Sequence, residues 1–223
     1  MDFRRNILIL TTVLLTLIAS HCFAQDGRSN KSVKPYRIVK SEDLSIKALT
    51  KPLSAYSSAQ LRSLPMNIRK QYKIIVPSDI SKEELKASMK HLVKQAITKN
   101  PDIDEIVIFA YDREEDSEGA YTFGKMEWCP NGNWAGVTPR IASINDRSSY
   151  EYVFDIKTKV GSLSADDMPT KQEFAIYDAY YKALWANPDL DEEIITKRVA
   201  KKLGISEKKL TEIWLKVETY NLK

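Results

Sequence analysis

The stretch from residue 72 to residue 111 most constrains the fold, because it has the pattern of a strand, a helix and a strand in direct succession. Residues 72–76 are aromatic and β-branched and are followed by Pro77, which predicts a strand. Residues 106–109 are apolar without alternation, which is typical of a central strand buried on both faces. The helix between them is therefore predicted to cross over the sheet, with a right-handed connection if the two strands are parallel.

This predicted crossover helix has a start signal, a stop signal and one apolar face. Ser81 and Glu84 have the spacing of a capping box, in which each side chain binds a backbone N–H left free at the helix start. Asn100 and Pro101 are predicted to end the helix. Between these signals, apolar residues recur every three or four positions and predict a core face: Leu85, Met89, Leu92, Val93 and Ala96.

Further strands, and then three helices, follow this unit. Alternation over residues 120–128 predicts the second strand of a hairpin, and residues 149–157 predict another strand. Residues 161–169 are small and polar, which is typical of a linker. Thr170 and Glu173 repeat the capping-box spacing, and the helical periodicity of residues 170–220, with its breaks, predicts three helices.

The predicted fold class is therefore α+β. A small mixed sheet with one capping crossover helix is expected over residues 35–160, followed by a three-helix, helix-turn-helix-like tail over residues 165–223. Residues 25–34 are polar and are predicted to form a disordered lead.

The amino terminus has the pattern of a secretory signal. Arg4 and Arg5 precede an uncharged apolar stretch, and residues 22–24 (Cys-Phe-Ala) place small residues where a signal peptidase cleaves. Residues 1–24 are thus predicted to be removed, which makes the mature chain periplasmic or secreted. The apolar stretch is shorter than the roughly 20 residues of a membrane-spanning helix, so no transmembrane segment is predicted after cleavage.

A lipid anchor at Cys22 is the alternative to simple cleavage, although His21 stands where a small residue normally precedes the modified cysteine. The whole chain has 34 basic and 30 acidic residues, and loss of residues 1–24 leaves 32 against 29, a formal charge of +3. This small and dispersed excess indicates no particular polyanionic partner. Only Cys129 remains after cleavage, so no internal disulfide is predicted.

The tail contains the spacing of a helix-turn-helix. Ala200, Gly204, Ile205 and Leu210 match the small residue, the left-handed turn and the apolar pair of that motif. The second helix, residues 206–219, has three lysines and three glutamates and therefore no net charge. Phosphate attraction supplies much of the affinity for DNA, so no nucleic-acid partner is predicted for an exported chain. Nucleic-acid binding through the tail stays an alternative if the chain is not exported.

An acidic loop is a weak candidate for a calcium site. Four carboxylates at alternate positions could offer oxygen ligands: Asp112, Glu114, Asp116 and Glu118. However, Ser117 and Phe123 occupy the places where an EF-hand loop needs glycine and a closing carboxylate. A solvated hairpin loop is the favoured interpretation, and no metal or cofactor is predicted.

The chain offers little material for catalysis. Cys129 could act as a nucleophile only beside a base, and His91 is predicted to project from the helix towards water. With one histidine and one cysteine after the signal, zinc sites and Ser-His-Asp arrangements are not expected. A hydrolase that uses carboxylates alone stays an alternative, because the sequence does not show which acidic residues converge.

Aromatic residues are concentrated around the predicted turn at Asn131 and Gly132. Trp128, Trp134 and Tyr121 are the candidate interaction residues, because aromatic side chains on a rigid turn suit contact with a protein or a glycan. The same spacing also fits aromatic residues that hold the turn against its sheet, and this second interpretation is favoured.

Turn and core motifs are concentrated in residues 70–135, at positions 77–85, 108–111, 119–124 and 128–134 (Trp-Cys-Pro-Asn-Gly-Asn-Trp). With these motifs the segment resembles an uncharacterised family of exported bacterial domains. The resemblance implies bacterial origin and export, and it brings no activity. The sequence thus favours an exported cell-envelope protein that is a non-enzymatic binding module, with an envelope protein or a glycan as its expected partner.

Overall fold

The computed structural model describes residues 32–222. The predicted signal over residues 1–24, the alternative lipid anchor at Cys22 and most of the predicted lead over residues 25–34 lie outside the described residues. Within residues 32–222, none of the helices combines the length and the apolar character needed to cross a bilayer.

The described chain contains seven strands, which are β1 (Arg37–Asp43), β2 (Ile46–Lys47), β3 (Met66–Asn67), β4 (Arg69–Ile75), β5 (Glu105–Tyr111), β6 (Gly124–Pro130) and β7 (Tyr150–Ile156). Five of them form the main sheet in the order β1-β4-β5-β6-β7. β4 and β5 are parallel, and the other neighbouring pairs are antiparallel. β2 and β3 form a separate antiparallel pair.

The helices of the described chain are α1 (Ser58–Ser63), α2 (Lys82–Lys99), α3 (Pro139–Ile144), α4 (Lys171–Ala186), α5 (Glu192–Leu203) and α6 (Glu207–Leu222). Short 3-10 helices lie at Leu53–Ala55, Glu115–Glu118 and Ala165–Asp167. The α+β prediction is confirmed: a mixed sheet carries one long crossover helix and is followed by three helices at the carboxyl end.

The crossover helix α2 forms as its sequence signals predict. The Ser81 hydroxyl accepts a hydrogen bond from the Glu84 N–H at 3.3 Å, and the Glu84 carboxylate accepts one from the Ser81 N–H at 3.0 Å. The helix ends before Asn100. Every residue of the predicted apolar face is buried in the core. Burial of each large aliphatic side chain stabilises the fold by about 1.5–3 kcal/mol.

The central strand β5 separates two unlike sides of the sheet. Ile106, Ile108 and Ala110 belong to the same core cluster as the apolar face of α2. The alternate residues of the strand point to the opposite side, where the edge strand β7 presents an exposed row formed by Glu151, Val153 and Asp155. On this second side the exposed residues lie on the edge strand β7, whereas Val107 and Tyr111 of β5 are buried.

The structure differs from the predicted elements in several places. β1 includes the polar residues 40–43, which carry no strand signal, because they pair with β4. The hairpin strand β6 begins at Gly124 rather than at residue 120. The β2–β3 pair was not predicted, since strands of two residues are too short to show a periodic pattern.

The three carboxyl-terminal helices also follow their sequence signals. Thr170 and Glu173 form the predicted capping box of α4, and Gly204 ends α5 with a left-handed φ of 68°. The helices bury one another's apolar faces, and Phe174, Leu210 and Val217 belong to the same core cluster as the sheet residues. The helices and the sheet thus share one continuous core.

Candidate functional site

Three carboxylates of the acidic loop after β5 form hydrogen bonds with other side chains of the protein. The Asp112 carboxylate accepts hydrogen bonds from the hydroxyls of Thr122, at 2.6 Å, and Tyr220. Arg113 donates two hydrogen bonds of 2.8 Å to Asp116, and Arg37 donates one of 2.6 Å to Glu114. No group of three or more histidine, cysteine, aspartate or glutamate side chains within residues 32–222 is arranged to hold a metal ion. The candidate ligands Asp112, Glu114, Asp116 and Glu118 are therefore not brought together around one point.

A cleft of about 270 Å³ lies beside this loop and against α4. Its charged lining includes Asp112, Glu114 and Asp178 together with Arg37. The hydrogen bond from Arg37 lowers the pKa of Glu114, which opposes the raised pKa that a catalytic acid needs. The carboxyls whose pKa is raised by burial, Asp104 and Glu105, are buried residues at the start of β5 and do not line this cleft.

A buried polar cluster surrounds the start of β5. The Glu105 carboxylate is fully buried and accepts hydrogen bonds from the Asn67 amide at 2.9 Å and from the Arg69 guanidinium. Arg69 also donates to the Trp134 carbonyl oxygen at 3.1 Å. Asp104 accepts hydrogen bonds from the Ile68 N–H at 2.7 Å and from Arg147 at 2.9 Å. Burial raises the pKa of both carboxyls, and the arginines oppose that rise.

Some polar atoms of this cluster have no hydrogen-bond partner. They are Asn67 Oδ1, Glu105 Oε1, Arg147 Nη1 and Tyr150 OH. Unsatisfied buried atoms each cost about 1–3 kcal/mol, so the cluster is a costly feature of the fold. The cluster carries perturbed pKa values, which is one mark of functional sites, but it lies under the loop after β6 and is closed to a substrate.

The loop after β6 covers this cluster because it folds back over the sheet. Asn131 and Gly132 both have positive φ, and the Asn133 N–H closes the turn on the Pro130 carbonyl oxygen at 2.9 Å. A Cβ added to Gly132 would lie 2.9 Å from the Val153 side chain, so the turn rests directly on β7. Glycine is needed here both for its backbone angle and for its small size.

The three candidate aromatic residues lie against the protein itself. Trp128 is 6% exposed and packs against Tyr150, with ring centroids 4.6 Å apart. The Trp134 ring lies 5.4 Å from the Arg69 guanidinium. Tyr121 stacks on Phe109 and donates a hydrogen bond to Asp155. Trp128 thus offers almost no surface to a partner, and Trp134 and Tyr121 are only half-exposed.

Cys129 and His91 do not form a catalytic pair. Cys129 is fully buried and pairs in register with Glu151, on the side of the sheet opposite α2. Burial raises the pKa of its thiol to about 12, so a reactive thiolate is strongly disfavoured. His91 lies on α2, where its Nδ1 is 3.1 Å from the Tyr36 hydroxyl. His91 thus lies away from the buried face of the helix, as predicted, but it is only partly exposed because Tyr36 packs beside it.

Several charged side chains of α6 bind neighbouring protein groups. Lys216 forms an ion pair of 3.1 Å with Glu173 of α4, and Lys209 lies 3.7 Å from Glu212. Tyr177 and Tyr181 both donate hydrogen bonds to Glu218. These contacts use α6 to bind α4.

An open apolar groove of about 550 Å³ lies between β2 and α1, in a region for which the sequence predicted no site. We call it the 46–62 groove after the residues that line it: Ile46, Lys47, Leu49, Leu53, Leu61 and Arg62. Leu53 is 61% exposed and Ile46 is 45% exposed. Clustered aliphatic side chains with such exposure mark interaction sites more often than isolated ones do.

Local contacts fix the walls of the 46–62 groove. The Lys47 ammonium donates a hydrogen bond of 2.6 Å to the Leu64 carbonyl oxygen, which joins β2 to the end of α1. Between them, the Thr50 N–H donates to the Tyr56 hydroxyl at 2.9 Å, and Lys51 lies over the Tyr56 ring. A capping box at Ser57 starts α1. The walls of the groove are thus held in place by contacts within the fold.

Basic residues lie in and next to the chain segment that forms the apolar 46–62 groove. The chain has no aspartate or glutamate from residue 44 through residue 78, whereas Lys47 and Arg62 line the groove and Lys51 lies two residues before Leu53 in the chain. Among the ion pairs of residues 32–222, none involves these three side chains. This long interval without an acid is the sequence signal that could have indicated the site.

No protein-family model, no curated protein and no solved structure matches the chain.

Proposed function

We propose that this protein is an exported, non-enzymatic binding module of the cell envelope and that the 46–62 groove is its contact surface. The observation that carries this proposal is the groove itself, in which exposed Leu53 and Ile46 lie near basic side chains that form no ion pair within residues 32–222. A folded chain that exposes clustered aliphatic side chains gains stability when a partner covers them.

The positions of the chemically reactive groups support binding over catalysis. Glu105 and Cys129 have raised pKa values, but both are fully buried beneath the loop after β6. The accessible cleft beside the acidic loop contains Glu114, whose pKa is lowered. A carboxylate hydrolase would need a raised pKa in an accessible cleft, so that alternative draws little support.

Export is part of the proposal and rests on the amino-terminal sequence. Two arginines, an uncharged apolar stretch and the small residues before position 25 form the pattern that signal peptidases recognise. An exported chain would meet envelope components and no chromosome. Nucleic-acid binding through α6 therefore draws little support, because its charges are balanced and partly paired.

Fractionation and site-specific crosslinking test the proposal together. The full chain is expressed in a bacterial host, and its location and its first residue are determined by fractionation and amino-terminal sequencing. A photoreactive amino acid is then placed at position 53 or, as a matched control, at Trp185, which is 79% exposed on α4. We expect a chain without residues 1–24 in the envelope fraction and crosslinks from position 53 that position 185 does not give.

Two results would overturn this proposal. One is an intact chain, beginning at Met1, in the soluble cytoplasmic fraction. The other is an envelope chain whose position 53 gives no more crosslinked product than position 185.

A further inference from the structure

We infer that the 46–62 groove docks on a membrane surface that contains anionic phospholipid. This inference rests on the proposed function and names the partner of the same surface. Apolar side chains that enter the headgroup region, together with basic side chains beside them, are the features by which a protein lies on a bilayer without crossing it.

The apolar side chains of the groove suit shallow insertion. Leu53 belongs to a one-turn 3-10 helix and is the most exposed aliphatic side chain of the groove, at 61%. Ile46, on the short strand β2, stands beside it in the same groove and is also exposed. The short elements place these side chains on an outer surface of the protein, where lipid acyl chains can reach them.

The basic residues near the groove favour a membrane whose lipids are negatively charged. Lys51 and Arg62 are exposed near the aliphatic side chains, whereas the Lys47 ammonium is held by the Leu64 carbonyl oxygen. The surrounding chain has no acid from residue 44 through residue 78. Each basic residue near an anionic bilayer contributes about 1 kcal/mol, which corresponds to about a fivefold gain in affinity. A neutral bilayer would offer the apolar contact without this gain. Charge complementarity therefore favours an anionic lipid surface over a neutral one.

Protein partners fit the same observations less well. An apolar peptide would leave the basic residues without partners, and an acidic amphipathic helix is bound through apolar anchors on successive turns, which need a long groove. The 46–62 groove is instead open and lined by only six residues, of which Leu53 is the most exposed aliphatic one. A planar, fluid and negatively charged partner matches this shape.

Vesicle sedimentation tests the inference with the chain isolated from the envelope of the expressing host. Vesicles of phosphatidylcholine alone are compared with vesicles that also contain phosphatidylglycerol. We expect binding only to the anionic vesicles, about fivefold weaker binding for each charge removed in Lys51→Gln and Arg62→Gln, and at least about tenfold weaker binding for Leu53→Ser. All three positions are exposed, so folding of the variants is checked by circular dichroism and thermal unfolding.

Matched controls carry similar changes elsewhere on the surface. Trp185→Ser removes an exposed apolar side chain from α4, and Lys201→Gln removes an exposed charge from α5. Both controls should bind anionic vesicles as the unchanged chain does. A second measurement uses Leu53→Trp, whose emission should shift to shorter wavelength when anionic vesicles are added.

The results separate this inference from the proposed function. Equal binding by the groove variants and the controls, or no binding to anionic vesicles, would overturn the membrane inference. If position 53 then still crosslinks to an envelope protein, the proposed binding function stands and the partner is a protein. If position 53 crosslinks to nothing, both proposals fall.

Discussion

The hydroxyl of Tyr220, near the end of the chain, donates a hydrogen bond to the carboxylate of Asp112, which follows the central strand β5. Lys159 lies 4.1 Å from the centroid of the same tyrosine ring, and Phe174 packs edge-on against it. The Arg113 guanidinium lies 3.6 Å from the centroid of the Phe174 ring. The contact between α6 and the sheet thus depends on specific polar and cation–π contacts in addition to apolar burial.

Replacement of Tyr220 by phenylalanine should reveal the strength of this contact. The variant keeps the ring but leaves one Asp112 oxygen without its donor, so the free energy of unfolding should fall by about 2 kcal/mol. Tyr181→Phe is the matched control, because Glu218 keeps its 2.7 Å hydrogen bond from Tyr177. Urea unfolding should show a loss below about 1 kcal/mol for this control. Equal losses would contradict a special role for the Tyr220 contact.

The buried lysine at the same contact should make stability depend on pH. Burial lowers the pKa of Lys159 below its usual 10.5. As pH rises, the folded chain therefore loses this proton before the unfolded chain does, so the free energy of unfolding rises with pH between the lowered pKa and about 10.5. Below that window its charge is fully present in both states and its burial destabilises the fold.

Lys159→Met removes the buried charge and should raise the free energy of unfolding at pH 7, by about 1 kcal/mol. The gain should shrink as the pH of a denaturant titration approaches 10. Lys157→Met, at an exposed neighbouring position, should change stability by less than about 0.5 kcal/mol at either pH. A gain for Lys159→Met that is constant from pH 7 to pH 10 would show that the charge is not responsible.

The turn over the buried polar cluster requires glycine at position 132. Gly132 has φ of 66°, and an added Cβ would lie 2.9 Å from the Val153 side chain. Gly132→Ala should therefore lower the free energy of unfolding by about 1–2 kcal/mol. Gly119→Ala is the control, because its Cβ would meet only ordinary contact at 3.5 Å. Thermal unfolding of both variants checks this, and a Gly132→Ala variant as stable as Gly119→Ala would contradict it.

Local sequence signals predicted the elements of the fold that depend on neighbouring residues. The capping boxes at Ser81 and Thr170, and the left-handed end of α5 at Gly204, all form as predicted. These features need only residues within about one turn of the helix. Their prediction therefore does not depend on the tertiary structure.

Long-range contacts explain what the sequence could not predict. Glu105 is a charged residue at the start of a strand, and it is buried only because a loop more than 25 residues later folds over it and Arg69 binds it. The 46–62 groove forms between a two-residue strand and a six-residue helix, neither long enough to show periodicity. The sequence signal for the groove was the interval without acidic residues. That interval indicates a surface site only when the aliphatic side chains are known to be exposed, and their exposure is seen only in the structure.

The thiol of Cys129 should be unreactive in the folded protein. Its side chain is fully buried and its pKa is raised to about 12, so both access and thiolate formation are suppressed. Iodoacetamide at pH 8, followed by mass mapping, should leave Cys129 unmodified in the native chain and modify it in urea. A cysteine placed at exposed Ser58 should react under both conditions. Rapid native labelling of Cys129 would indicate that the covering loop opens.

Removal of one partner of the Glu105–Arg69 pair should lower the free energy of unfolding more than replacement of both partners by apolar residues. The Glu105 side chain is fully buried and that of Arg69 is 14% exposed, so removal of one partner leaves an uncompensated charge in the interior. Glu105→Leu should lower the free energy of unfolding by about 3–5 kcal/mol. Arg69→Met in the same chain should restore much of this loss, because the double variant buries no charge. A double-mutant cycle in urea measures the coupling, and additive losses would mean that the two side chains stabilise the fold independently.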